Sequence, residues 1–92
     1  MSIALLYERV RKEIAPYGTT LETATNSVDP FVIYIGFARA GTSKADAKWI
    51  IFRVKDSGSD VTTRLARTTS TSTDQEQMNK VFNNASTYDY VE

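Results

Sequence analysis

The side chains of this chain that could do acid–base chemistry are carboxylates, lysines and tyrosines, because histidine and cysteine are both absent. That removes the usual general base near neutral pH, the commonest metal ligand and the thiol nucleophile. Four carboxylates, Asp56, Asp60, Asp74 and Glu76, stand where turns or a helix start are expected, and turn formation or capping is the duty such positions assign. Asp56-x-Gly58-x-Asp60 has the outline of a calcium loop without its remaining ligands or its terminal glutamate. Serine and threonine make up about a fifth of the residues, yet the sequence holds no G-x-S-x-G elbow, phosphate-cradling glycine loop or dinucleotide fingerprint. Nothing around Lys48 or Lys55 singles out either as a base. The expectation is no enzyme, no catalytic residues, no cofactor and no metal.

A second chemistry is binding. Trp49, Arg53, Lys55, Arg64 and Arg67 would gather aromatic and basic groups on neighbouring strands, an arrangement suited to a single nucleic-acid strand. Against it, eleven lysines and arginines balance eleven aspartates and glutamates, so no long-range field draws in a polyanion. Basic residues on a sheet edge also discourage sheet-to-sheet aggregation, which is the simpler reason for them. Nucleic acid is therefore not the expected partner.

The element that must position these groups is the run 47–55, which places the only tryptophan in the densest stretch of β-branched and aromatic residues and reads as the central strand. Its alternation puts Trp49, Ile51, Arg53 and Lys55 on one face and Ile50, Phe52 and Val54 on the other. Residues 31–38 form a second strand, with Phe31, Ile33, Ile35 and Phe37 opposed to Val32 and Tyr34, and Gly36 marks a bulge or a close neighbour. Residues 61–67 form a third, half-exposed strand beyond the turn 56–60. Short connections favour an antiparallel meander over 31–67. Before it, Ser2 and the apolar spacing of Ile3, Leu6, Tyr7, Val10 and Ile14 predict a helix within 1–16, followed by a linker or weak edge over 17–30. After it, 68–92 reads as a polar link, a short helix opened by the capping box Thr73-Asp74-Gln75-Glu76, and a tail with Tyr88 and Tyr90.

The expected fold is thus a single domain, 1–92, of the α+β class: an antiparallel meander of three or more strands with an N-terminal helix and a short C-terminal helix. Ninety-two residues lie near the lower limit for a core without crosslinks, so help from partners is expected. The amino terminus lacks the charged, apolar and small-residue order of a signal peptide, and no apolar run reaches the length of a bilayer span; a soluble protein with no membrane partner is expected.

Two stretches carry a resemblance. Tyr34-Ile35-Gly36-Phe37-Ala38-Arg39-Ala40-Gly41 leading to Ala47-Lys48-Trp49-Ile50-Ile51-Phe52-Arg53-Val54, and then the segment from Met78 to Tyr88, resemble a group of small virion proteins of tailed bacteriophages with a W-x-I-x-R strand and an F-D-N-V-W-D-D-R-A-S-L-x-Y segment. The chain departs from that pattern at Phe82, where tryptophan is usual, and at Asn83, Asn84 and Ala85, where acidic residues and arginine are usual. The resemblance covers about the C-terminal two thirds and implies a structural component of a phage particle, in head decoration, neck or adaptor, or tail or fibre, with no catalytic residue to carry over. Its partners would be copies of itself and other virion proteins. The contacts expected to hold it are Ile3, Tyr7 and Val10 of the first helix, Arg39 and Lys44 of the 39–46 loop, and Tyr88, Tyr90 and Val91 of the tail. A small phage-encoded regulator that binds nucleic acid or a host protein is the alternative.

Overall fold

A computed structural model describes residues 18–91 together with Glu8 and Lys12. Period-two patterning becomes strand in β1 (Thr19–Thr25), β2 (Val32–Arg39), β3 (Ala47–Asp56) and β4 (Val61–Arg67), and two short strands follow, β5 (Lys80–Val81) and β6 (Asp89–Val91), separated by a 3₁₀ helix at Phe82–Thr87. The sheet order is β1-β2-β3-β4-β6, antiparallel throughout, with β5 pairing the start of β3.

The expected α+β class is corrected. Among the described residues the fold is an antiparallel sheet that carries one short 3₁₀ helix and no helix of seven or more residues. The N-terminal helix expected within 1–16 falls outside the described residues except for Glu8 and Lys12, both helical and exposed. Residues 19–25, expected as a linker or weak edge, form the edge strand β1.

The short helix expected from the capping box onward is replaced by a loop, β5 and the 3₁₀ turn, and the reason lies at Lys80. A helix would use the carbonyls of Asp74 and Gln77 for its own N–H groups. Here both accept from the Lys80 ammonium, whose side chain is fully buried and also donates to Asn79 Oδ1. The Val81 N–H donates to the Tyr88 hydroxyl at 2.7 Å instead of to a helical carbonyl. The capping-box segment opens no helix: Asp74 within it accepts from the Thr68 N–H and hydroxyl at 3.1 and 2.9 Å and from Asn79 Nδ2 at 2.9 Å, closing the 68–79 loop on itself.

Alternation builds two apolar layers on opposite faces of the sheet. One gathers Val32, Tyr34, Trp49, Ile51 and Ala66 under Phe82 and Ala85 of the 3₁₀ helix; the other gathers Phe37, Ile50, Phe52 and Leu65. Trp49, Ile50 and Ile51 are fully buried, so consecutive residues of β3 feed both layers. Each such side chain contributes about 2 kcal/mol through removal of apolar surface from water. Trp49 donates its indole N–H to the Ser43 carbonyl at 2.9 Å, which anchors the 40–46 loop to the core. Gly36 is the close approach its position in a strand suggests: a Cβ there would lie 2.4 and 2.8 Å from Phe82 ring atoms and 3.0 Å from Trp49.

Candidate interaction surface

Burial on the Phe37–Phe52 face falls away toward one end of the sheet. Pairing sets Ile35 opposite Phe52 and Phe52 opposite Leu65, then Ile33 opposite Val54 and Val54 opposite Thr63. One row further, the Asp56 N–H donates to the Phe31 carbonyl at 3.0 Å while Asp56 pairs with Val61, so Phe31 and Val61 flank it. Exposure rises along that path, from 3% at Phe52 to 41% at Ile33, 63% at Phe31 and 60% at Val61. Exposed apolar residues scattered singly are ordinary, but a run continuous with the core is the usual mark of a contact surface. The side chains of this patch carry no catalytic group except the Asp56 carboxylate, whose Oδ1 accepts the Gly58 N–H at 2.9 Å and so shapes the 56–60 turn.

The connection entering β2 is held by Asn26 and by Asp29, whose Oδ1 accepts the Phe31 N–H at 3.0 Å. Asn26 Oδ1 accepts from the N–H groups of Val28 and Asp29, each at 2.8 Å, and its Nδ2 donates to the Tyr34 hydroxyl at 2.7 Å. An asparagine side chain that substitutes for a turn carbonyl fixes such a loop without any regular element, and it presents Phe31 at the start of β2.

The expected contacts among the described residues are spread over the sheet and its loops. Ile3, Tyr7 and Val10 lie outside the described residues. Arg39 ends β2 and is exposed, and Lys44 is exposed in the following loop with its ammonium 3.9 Å from Glu22. Tyr88 and Tyr90 are half-buried in the chain's own structure: Tyr88 packs against the core and accepts the Val81 N–H, and Tyr90 donates to the Ala85 carbonyl. The Tyr90 ring lies 5.7 Å from that of Tyr34, with the Arg53 guanidinium 5.0 Å above it. Burial, with Tyr34 and Tyr88 close by and only partly offset by Arg53, pushes the Tyr90 hydroxyl well above its usual range, so it stays a proton donor. Val91 pairs with Leu65 through the backbone of β6. Arg39, Lys44, Tyr88 and Tyr90 lie outside the Phe31–Ile33–Val61 patch; the period-two reading of 31–37 held the signal, since it set an apolar row on one face of the strand.

Three of the five groups that suggested nucleic-acid binding are engaged internally, while Lys55 is exposed. Trp49 is fully buried, Arg53 is stacked on Tyr90, and Arg67 Nε donates to Asp89 at 2.6 Å. Among the described residues no three acidic, histidine or cysteine side chains group to hold a metal ion, and no helix is long and apolar enough to cross a membrane. Comparison with family models, with curated proteins and with solved structures finds no match to this chain.

Proposed function

We propose that this chain is a structural subunit of a bacteriophage particle that works by protein–protein assembly, burying sheet surface against copies of itself and other virion proteins. The observation that carries the assembly reading is the apolar run from Phe52 out to Phe31 and Val61, which leaves three large side chains in water at the end of an otherwise packed layer. The resemblance of the β2–β3 stretch and the 78–88 segment to phage virion proteins supports the setting. In this fold the W-x-I-x-R residues do scaffold work: Trp49 and Ile51 fill one layer and Arg53 caps Tyr90. A scaffold of that kind presents surfaces rather than a reaction centre.

The test is copy number. Quantitative mass spectrometry of purified particles should find the chain in a fixed ratio to the other structural proteins, equal to the symmetry of one ring or lattice. A trace, variable amount, or complete absence from particles, would reject the virion role and turn attention to the regulator alternative.

A further inference from the structure

We propose that β1 is a self-pairing edge: two copies add β1 to β1 across a two-fold axis at Leu21 and so join their sheets into one. This deepens the assembly reading by naming one surface and its occupant. Among the described residues β1 has a single neighbour, β2. The Asn26 N–H to Val32 carbonyl bond at 3.0 Å and the Ala40 N–H to Gly18 carbonyl bond at 3.3 Å fix the phase of that ladder. Antiparallel pairs alternate between bonded and non-bonded, so the even-numbered residues of β1 turn their backbone groups toward β2. Thr19, Leu21, Thr23 and Thr25 therefore direct N–H and C=O outward along an edge of about 23 Å.

Natural edges of this length are usually blunted by lysine, proline or a bulge. β1 has none of these: its register with β2 is unbroken, and its sequence Thr-Thr-Leu-Glu-Thr-Ala-Thr holds one charge. That charge selects the register. With the axis at Glu22, the two carboxylates would oppose each other directly, which is destabilising. Centring on Thr23 would put Leu21 against Thr25 of the other copy. Centring on Leu21 sets Glu22 against Thr20, Thr19 against Thr23, and Leu21 against itself. Leu21 is 54% exposed and pairs with Phe37, which belongs to the buried layer with Ile50. The Leu21-centred register thus extends the apolar row Ile50–Phe37–Leu21 through the axis into the same row of the second copy, an isologous and closed contact.

Because the chain contains no cysteine, a single introduced one reports the register without interference. Leu21→Cys should give a covalent dimer under mild oxidation, while Thr23→Cys should not. Light scattering of the unmodified chain at tens of micromolar should give twice the monomer mass. Thr23→Pro removes an outward N–H while leaving every β1–β2 bond in place, and Leu21→Lys opposes two ammonium groups on the axis. Each should weaken dimerisation by at least about tenfold, with circular dichroism showing the same sheet content. A monomeric wild-type chain, cross-linking at Thr23 instead of Leu21, or folded Thr23→Pro and Leu21→Lys variants that dimerise as well as wild type would each overturn the proposal. None of those outcomes changes copy number in particles, so failure here and failure of the virion reading are told apart.

Discussion

Lys80 shows how a single residue redirects a segment that sequence periodicity assigns to a helix. Its ammonium is buried and satisfied by two backbone carbonyls and the Asn79 side chain, with Asp74 nearby to offset the desolvation that lowers its pKa. A buried cation with its donors used is tolerable, whereas an unpaired one costs several kcal/mol, so the 74–80 loop is held in the shape that supplies acceptors. Asp74 is the other half of this arrangement. Desolvation would raise its carboxyl, but hydrogen bonds from Asn79 and from the Thr68 N–H and hydroxyl, with the Lys80 charge, outweigh it and bring the pKa down from 3.8 to about 2. A carboxylate depressed in the folded state contributes stability that is present above its unfolded value and lost as pH falls through its folded one. Wild type should therefore exceed Asp74→Asn in stability at neutral pH, and the gap should narrow as pH drops from 3.8 toward 2. Chemical denaturation of both proteins across that range checks it; a gap that does not change with pH would mean the carboxylate's charge plays no part.

Among the elements, the contact between β2 and the 3₁₀ helix binds the C-terminal third to the sheet. The Phe82 ring lies over the missing side chain of Gly36 and 5.4 Å from the centroid of Trp49, so the two aromatics close over one backbone position. Gly36→Ala should destabilise by about 1–3 kcal/mol, the usual cost of overpacking. Phe82→Leu in the same background should recover part of it, because the clash is with the ring itself. Thermal melts of the single variants and the double variant measure that coupling, and strictly additive effects would show that the two residues do not meet. The alternation of 31–37, 49–54 and 61–66 made both layers and the meander legible, and the glycine within a strand pointed to a close neighbour. The identity of that neighbour was not legible, because Phe82 comes from 46 residues further along the chain. β1 was readable only as a linker or weak edge, since a threonine-rich strand with Leu21 as its one large apolar residue has little pattern to show. The expected C-terminal helix failed because side-chain spacing carries no record that an ammonium would claim the carbonyls a helix needs. Tyr88 and Tyr90 read as contacts for a partner, since two aromatics near a terminus imply burial, but alternation alone does not say whether the covering surface belongs to the same chain.

At the scale of the whole molecule, the two apolar layers are unequal. The Trp49 layer lies beneath the 3₁₀ helix, with Tyr88 and Tyr90 packed against it, whereas the Phe52 layer grades into water at Ile33, Phe31 and Val61. Substituting Phe31 and Val61 by aspartate separates folding from assembly, because both side chains are already mostly solvated and surface changes away from packed features typically move stability by no more than about 0.5 kcal/mol. In an assembled contact the same two positions would each contribute about 1.5–3 kcal/mol, and a buried unpaired carboxylate would add a penalty. Since 1.4 kcal/mol is about tenfold in affinity, the double variant should be lost from particles while melting near the wild-type temperature. Ser59→Asp, in the neighbouring exposed turn, controls for added charge at this end of the sheet. Mass spectrometry of particles assembled with each variant gives the measure, and normal incorporation of Phe31→Asp/Val61→Asp would show that the assembly buries some other part of the surface. Loss of the double variant with retention of the Ser59 control would locate the contact on this patch. It would also leave the β1 edge free to be judged separately, because Leu21 stands at the opposite end of β2 from Phe31.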